Sequence, residues 1–98
     1  MKWLLVIALA ACGTKHEPVV HQIEIRGMQY VPAALVVHVG DTVVWTNRDV
    51  LPHTVTSAEF DSQAMQAKAE WSYRITRTGE LPYRCTFHPT MFGKLIAE

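Results

Sequence analysis

The stretch from Leu81 to Met91 restricts what this chain can fold into more than any other part of it. Leu81, Tyr83 and Cys85 fall on one face at period two, the pattern of a strand with one buried side. Beyond Cys85 the chain sets an imidazole at His88 and a thioether at Met91, each three positions after the last. If these groups are to meet the Cys85 thiol, the strand must stop at Cys85. A helix is disfavoured as well, because Pro89 lacks a backbone donor and pushes His88 out of the helical region. What remains is a tight loop with a thiol, an imidazole and a thioether facing inward.

One more donor is needed, and His53 supplies a candidate within the turn-rich segment Asn47 to Val55. A thiolate, two imidazoles and a weak thioether form the trigonal donor set, with a long axial methionine, of a blue-copper electron-transfer centre. Cys85 would supply the thiolate, its proton lost to the metal. His53 and His88 would bind as neutral imidazoles, and Met91 would be the weak axial ligand. The soft sulfur donors hold Cu(I) and the imidazoles suit both oxidation states, so one copper ion could cycle between Cu(I) and Cu(II) with little change of geometry. Asn47, Thr54 and Thr86 are the candidates for orienting these ligands. Three other readings compete. Cys85 could be a buried structural thiol. Cys85, His53 and His88 could bind structural zinc, although zinc has no use for Met91. The site could also serve a copper carrier or chaperone, which would need exposed, exchangeable ligands.

The rest of the chain reads as short strands. Val19 to Met28 alternates, with Ile23 and Ile25 on the apolar face and Gly27 as a break or bulge. Tyr30 to Ala33 reads as a connection, since Pro32 forbids a central ladder position. Leu35, Val37 and Val39 form a second strand. Gly40-Asp41 is a turn signal, and Thr42 to Asn47 a third strand with Val43 and Trp45 on one face. Phe60, Ala64 and Ala67 could line a short helix within Ala58 to Glu70. Trp71, Tyr73 and Ile75 mark another strand, Thr78-Gly79-Glu80 a hairpin turn, and Phe92 to Ala97 the strand that closes the sheet. Such spacing predicts an antiparallel sandwich. His16, His21 and His38 read as solvated, surface or boundary residues, and Met28 and Met65 as packing.

At 98 residues the chain is one small domain. Such domains are marginal, so a metal bound only by the folded state would add stability. Its formal net charge of zero leaves no electrostatic footprint for nucleic acid. The apolar run Trp3 to Ala11 follows a positive start and is far short of the roughly 20 residues of a spanning helix. Its ending, Leu9-Ala10-Ala11-Cys12, resembles a bacterial lipobox. That resemblance implies a leader over 1–11, cleavage before Cys12 and a lipid on its sulfur, with 12–18 as anchor and tether of a domain over 19–98. Gly13 after the cysteine points to the outer membrane in a Gram-negative cell. With Cys12 acylated and Cys85 a ligand, no disulfide joins them.

Three pieces then carry a wider resemblance: Gly40-Asp41-Thr42-Val43-Val44-Trp45-Thr46-Asn47, Pro52-His53-Thr54-Val55, and Cys85-Thr86-Phe87-His88-Pro89-Thr90-Met91 with Gly93-Lys94 after it. In this order they resemble the cupredoxins, and within that family the branch of amicyanin, pseudoazurin and plastocyanin. The resemblance spans most of Val19 to Glu98. It implies an all-β, Greek-key sandwich of about seven to eight strands, one copper ion, and single-electron transfer outside the cytoplasm rather than catalysis. It also implies that His88 reaches the surface through an apolar patch, here Pro52, Phe87 and Pro89, on which dehydrogenase- or cytochrome-type redox proteins dock transiently to a monomer. Two residues depart from the family pattern. Phe87 stands where proline is usual, and Thr54 where an asparagine usually ties the two ligand loops together; Thr54 is expected to make a weaker tie.

Overall fold

In a computed structural model, which describes residues 16–98, seven strands form two facing sheets: β1 (Val20–Arg26), β2 (Gln29–Val31), β3 (Ala34–Val37), β4 (Thr42–Asn47), β5 (Glu70–Arg74), β6 (Gly79–Arg84) and β7 (Phe92–Ala97). One sheet has the order β2-β1-β4-β5, the other β3-β7-β6. This is the all-β sandwich expected from the alternating patterns. The expected leader, Cys12 and the first part of the expected tether lie outside the described residues.

The sheets are mixed rather than antiparallel. β1 runs parallel to β4, with Ile23 opposite Trp45, and β3 runs parallel to β7, with Leu35 opposite Leu95. Parallel neighbours need long connections, so turn signals alone could not reveal these pairings. The core between the sheets is built by the residues that period-two reading selects. Ile23, Ile25, Val37, Val43, Trp45, Leu81, Tyr83 and Leu95 are all buried, each worth roughly 1.5–3 kcal/mol of apolar burial for its size. Trp45 packs its ring against Phe60, Trp71 and Tyr83.

Four local expectations are corrected. Gly27 does break the strand, as a turn and not as a bulge: Gly27 and Met28, at φ 59° and 62°, make the two-residue turn of the β1–β2 hairpin. Positive φ at both positions suits the right-handed twist of the strands they join. Met28 is consequently exposed on that turn rather than packed. Tyr30 lies in a short edge strand, not a connection, and Pro32 follows the last paired residue. Thr78-Gly79-Glu80 is no hairpin turn, since β5 and β6 belong to different sheets and the chain crosses between layers there.

The fourth correction is the helix proposed within Ala58 to Glu70: no helix occurs among the described residues. The backbone there is claimed by other partners. Met65 exchanges both backbone hydrogen bonds with His53 at 2.8 and 3.2 Å, and Ser57 Oγ accepts from the amides of Glu59 and Phe60. Gln63 and Lys68 adopt φ of 62° and 71°, outside the helical region. Phe60 and Met65 are buried while Ala64 and Ala67 are exposed, so the helical stripe does not exist.

Candidate metal centre

The segment after β4 is held to both sheets, and this brings distant residues together. Pairing of His53 with Met65 fixes one end of it. Thr56 exchanges two backbone hydrogen bonds of 2.9 Å with Arg84, the last residue of β6. His53 therefore hangs beside Cys85, the next residue along. The loop beyond closes on itself: the Cys85 amide donates to the Met91 carbonyl at 3.1 Å, and the Met91 amide to the His88 carbonyl at 2.9 Å.

At this end of the sandwich Cys85 Sγ lies 3.8 Å from Nδ1 of His53 and 3.5 Å from Nδ1 of His88. One donor atom from each of the three residues lies within 4.8 Å of the others. A metal with bonds near 2.0 Å to nitrogen and 2.3 Å to sulfur separates such donors by about 3.6–3.8 Å, so the set fits a single ion. Cys85 and His53 are fully buried, Met91 is 3% exposed, and His88 is half-buried. Buried groups surround the inner side of the cluster, and only the His88 side approaches solvent.

The surrounding hydrogen bonds orient each group. The Thr54 amide donates to Cys85 Sγ at 3.3 Å. Thr54 Oγ1 accepts from the Thr86 amide at 2.9 Å and from the Thr56 hydroxyl at 2.9 Å, so threonine links the two loops through one oxygen. Asn47 donates through Nδ2 to the carbonyls of Leu51 and Met65, both at 2.9 Å, and its Oδ1 accepts from the Asp49 amide. It braces the loop ahead of His53 from a fully buried position.

Sequence reasoning missed Asp49 and Tyr30. Asp49 Oδ2 accepts from His53 Nε2 at 2.8 Å, which leaves Nδ1 facing Cys85. The same carboxylate accepts the Gly27 and Met28 amides at 2.7 and 2.9 Å. Burial pushes the Asp49 carboxyl up, but those two amides and the His53 ring outweigh it and hold it below the usual range. Tyr30 donates its hydroxyl to the Thr54 carbonyl at 2.6 Å. Burial, with Cys85 and Tyr83 nearby, pushes that phenol well above its ordinary value, so it stays a donor. Neither residue carries a local motif; only the pairing of the hairpin turn with the β4 loop connects them to the site.

Around the half-buried His88, Phe87 is 50% exposed and Pro89 is exposed, with Pro52 half-buried. Val50 and Leu51, which the sequence reading left out, are also exposed.

Residues 1–97 match the family model for a cupredoxin-like domain. The amicyanin of Paracoccus denitrificans is 36% identical over 83 residues, covering 78% of this chain and 63% of that protein. The amicyanin of Paracoccus versutus is 31% identical over 81 residues, covering 76% and 61%. The chain thus spans less than two thirds of the length of these two relatives. Among solved structures, a Cu(I) methionine-to-glutamine variant of amicyanin superposes with a TM-score of 0.75 at 34% identity, covering 81% of this chain and 82% of that one.

Proposed function

The chain belongs to the cupredoxin family, close to amicyanin, and from that membership we propose that it is a type 1 (blue) copper protein carrying single electrons between redox proteins outside the cytoplasm. The observation that supports this reading most is the approach of both histidine Nδ1 atoms to the buried Cys85 Sγ, at 3.8 and 3.5 Å. His53, Cys85 and His88 would hold one copper ion, with Met91 as a weaker fourth donor. Copper bound there supplies the one-electron couple.

The protein's part is to keep the donors still. Asp49 holds the His53 tautomer that offers Nδ1, the Thr54 amide stabilises negative charge on Cys85 sulfur, and Thr54 Oγ1 fastens the two loops. Because these donors are set before an electron arrives, little reorganisation accompanies transfer. The buried positions of His53 and Cys85 suit retention rather than delivery of the metal, which favours a carrier of electrons over a carrier of copper. It acts as a carrier and not as an enzyme.

Pro52, Phe87 and Pro89, joined by Val50 and Leu51, would form the docking patch around His88. Patches of a few hundred Å² suit transient redox partners of dehydrogenase or cytochrome type, whose interfaces lie below about 1,200 Å². A leader over 1–11 would direct export, and acylation of Cys12 would anchor the domain, as a monomer, to a membrane outside the cytoplasm, the outer membrane in a Gram-negative cell. Mass spectrometry of the chain recovered from membranes tests this: an acylated N-terminal Cys12 is expected, and an unmodified cysteine overturns it.

The main test is the visible spectrum of the Cu(II)-loaded chain, followed by reduction. An intense blue band that bleaches and returns with the redox cycle is expected. A colourless Cu(II) form would overturn the proposal and favour copper carriage.

A further inference from the structure

At the other end of the sandwich, four polar residues from two stretches of chain, 16–21 and 38–41, meet. Asp41, between β3 and β4, has a fully buried side chain. Its Oδ1 accepts from His16 Nε2 at 2.8 Å and the Val19 amide at 2.9 Å. Its Oδ2 accepts from His21 Nε2 at 2.8 Å and the His38 amide at 3.0 Å. The His38 ring stacks on His16, their centroids 4.2 Å apart, and its Nε2 lies 3.9 Å from a Glu98 carboxylate oxygen. The solvated or boundary roles read for these histidines therefore understate them: they surround a buried anion.

We propose that His16, His38 and Asp41 form a second metal site, one that takes a divalent transition ion of the zinc type through two imidazoles and a carboxylate. One donor atom from each lies within 4.8 Å of the other two. Neutral imidazole and carboxylate are the donors that zinc prefers where no thiolate is present. The ion would replace the hydrogen bond between His16 and Asp41 Oδ1. The His16 ring proton moves from Nε2 to Nδ1, freeing the Nε2 lone pair, and no net proton is lost.

His21 stays on Oδ2 and keeps the carboxylate aimed, as orienting partners of metal ligands do. Glu98 adds negative charge within reach of the same position. The side chains of His16 and His38 are 36% and 42% exposed, so an ion can enter and water can complete its shell. Such an ion would staple the segment ahead of β1 to the β3–β4 turn.

The site is separate from the candidate copper centre. Glu98 exchanges backbone hydrogen bonds with Val37 and Val39, beside the Gly79 end of β6, whereas Cys85 follows the other end. The length of β6 between them is roughly 20 Å at about 3.3 Å per residue. The inference does not rest on the copper reading.

Zinc titration of the full chain, previously loaded with copper, tests it by calorimetry and by metal analysis after gel filtration. One zinc per chain is expected, with a higher Tm and no change in the visible spectrum. His16→Ala and His38→Ala, both at half-exposed positions, should each weaken zinc binding roughly tenfold or more, and His21→Ala by about tenfold. No retained zinc, or zinc held equally by the wild type and both ligand variants, would overturn the proposal. The second result would locate the ion elsewhere, including in an unfilled copper site.

Discussion

The two ends of the sandwich both gather imidazoles, but around different groups. At the Cys85 end the centre is a buried cysteine sulfur, and Cys85, His88 and Met91 come from one short loop. At the Asp41 end it is a carboxylate saturated by two amides and two imidazoles from two stretches of chain. The Cys85 cluster has no such saturation: its sulfur receives one amide hydrogen bond, from Thr54. A carboxylate already satisfied by protein donors contributes to stability without any ion. A sulfur with imidazole nitrogens 3.8 and 3.5 Å away offers donors that a single metal ion can bridge. At the Asp41 end the polar groups hold the fold together before any ion binds, whereas at the Cys85 end the fold holds polar groups ready for one.

Cys85→Ala should break the first end most completely. The Cu(II)-loaded variant is expected to lose the blue band entirely in its visible spectrum, while zinc uptake at the Asp41 end persists. Asp41→Asn should break the second end. Its amide would face donors where the carboxylate accepts, at a cost of about 3 kcal/mol in urea unfolding, with the blue band intact in the folded fraction. Burial raises the Asp41 carboxyl, but His21, His16 and the amides of Val19 and His38 outweigh it and hold it far below the usual range. A depressed folded value means the stabilisation is complete above the unfolded value and is lost as pH falls. Wild-type stability should therefore drop more steeply below about pH 4 than that of Asp41→Asn.

Smaller changes sharpen the contrast. Thr54→Val removes the oxygen that accepts from Thr86 and Thr56, and should cost about 1–2 kcal/mol by leaving the Thr86 amide unpaired. A shifted reduction potential should accompany it, whereas the same measurement on His38→Ala should show none. Asp49→Asn should weaken copper retention by about tenfold in competition with a chelator. The smallest effect is expected for His38→Ala without zinc: a change within about 0.5 kcal/mol in urea unfolding, because its ring is half-exposed and only its backbone amide serves Asp41.

Much of the architecture could be read from spacing. The burial of Ile23, Ile25, Val43, Trp45, Leu81, Tyr83 and Cys85 follows from alternation, since one face of each strand must leave water. Phe92 to Ala97 is a strand with the bounds its pattern suggested. The helix drawn through Phe60, Ala64 and Ala67 failed because periodicity is a weak signal in a short segment whose backbone finds partners elsewhere. The parallel partners of β1 and β3 carry no local mark at all.

The candidate copper donors illustrate the same division. Cys85, His88 and Met91 share one loop, so their spacing alone proposed a site, and His53 was found because the chemistry called for one more imidazole. Asp49, Tyr30 and the His16–His21–His38–Asp41 cluster have no such marker. Their relation is created by hydrogen bonds across 4 to 25 residues of chain. Period-two burial and the inventory of soft donors belong to the sequence by itself, because each depends only on residue type and near neighbours. Which strands lie parallel, which carboxylate faces which imidazole, and where a second set of donors converges were decided by the tertiary structure, because closing the two sheets determines which distant backbone and side-chain groups must satisfy one another.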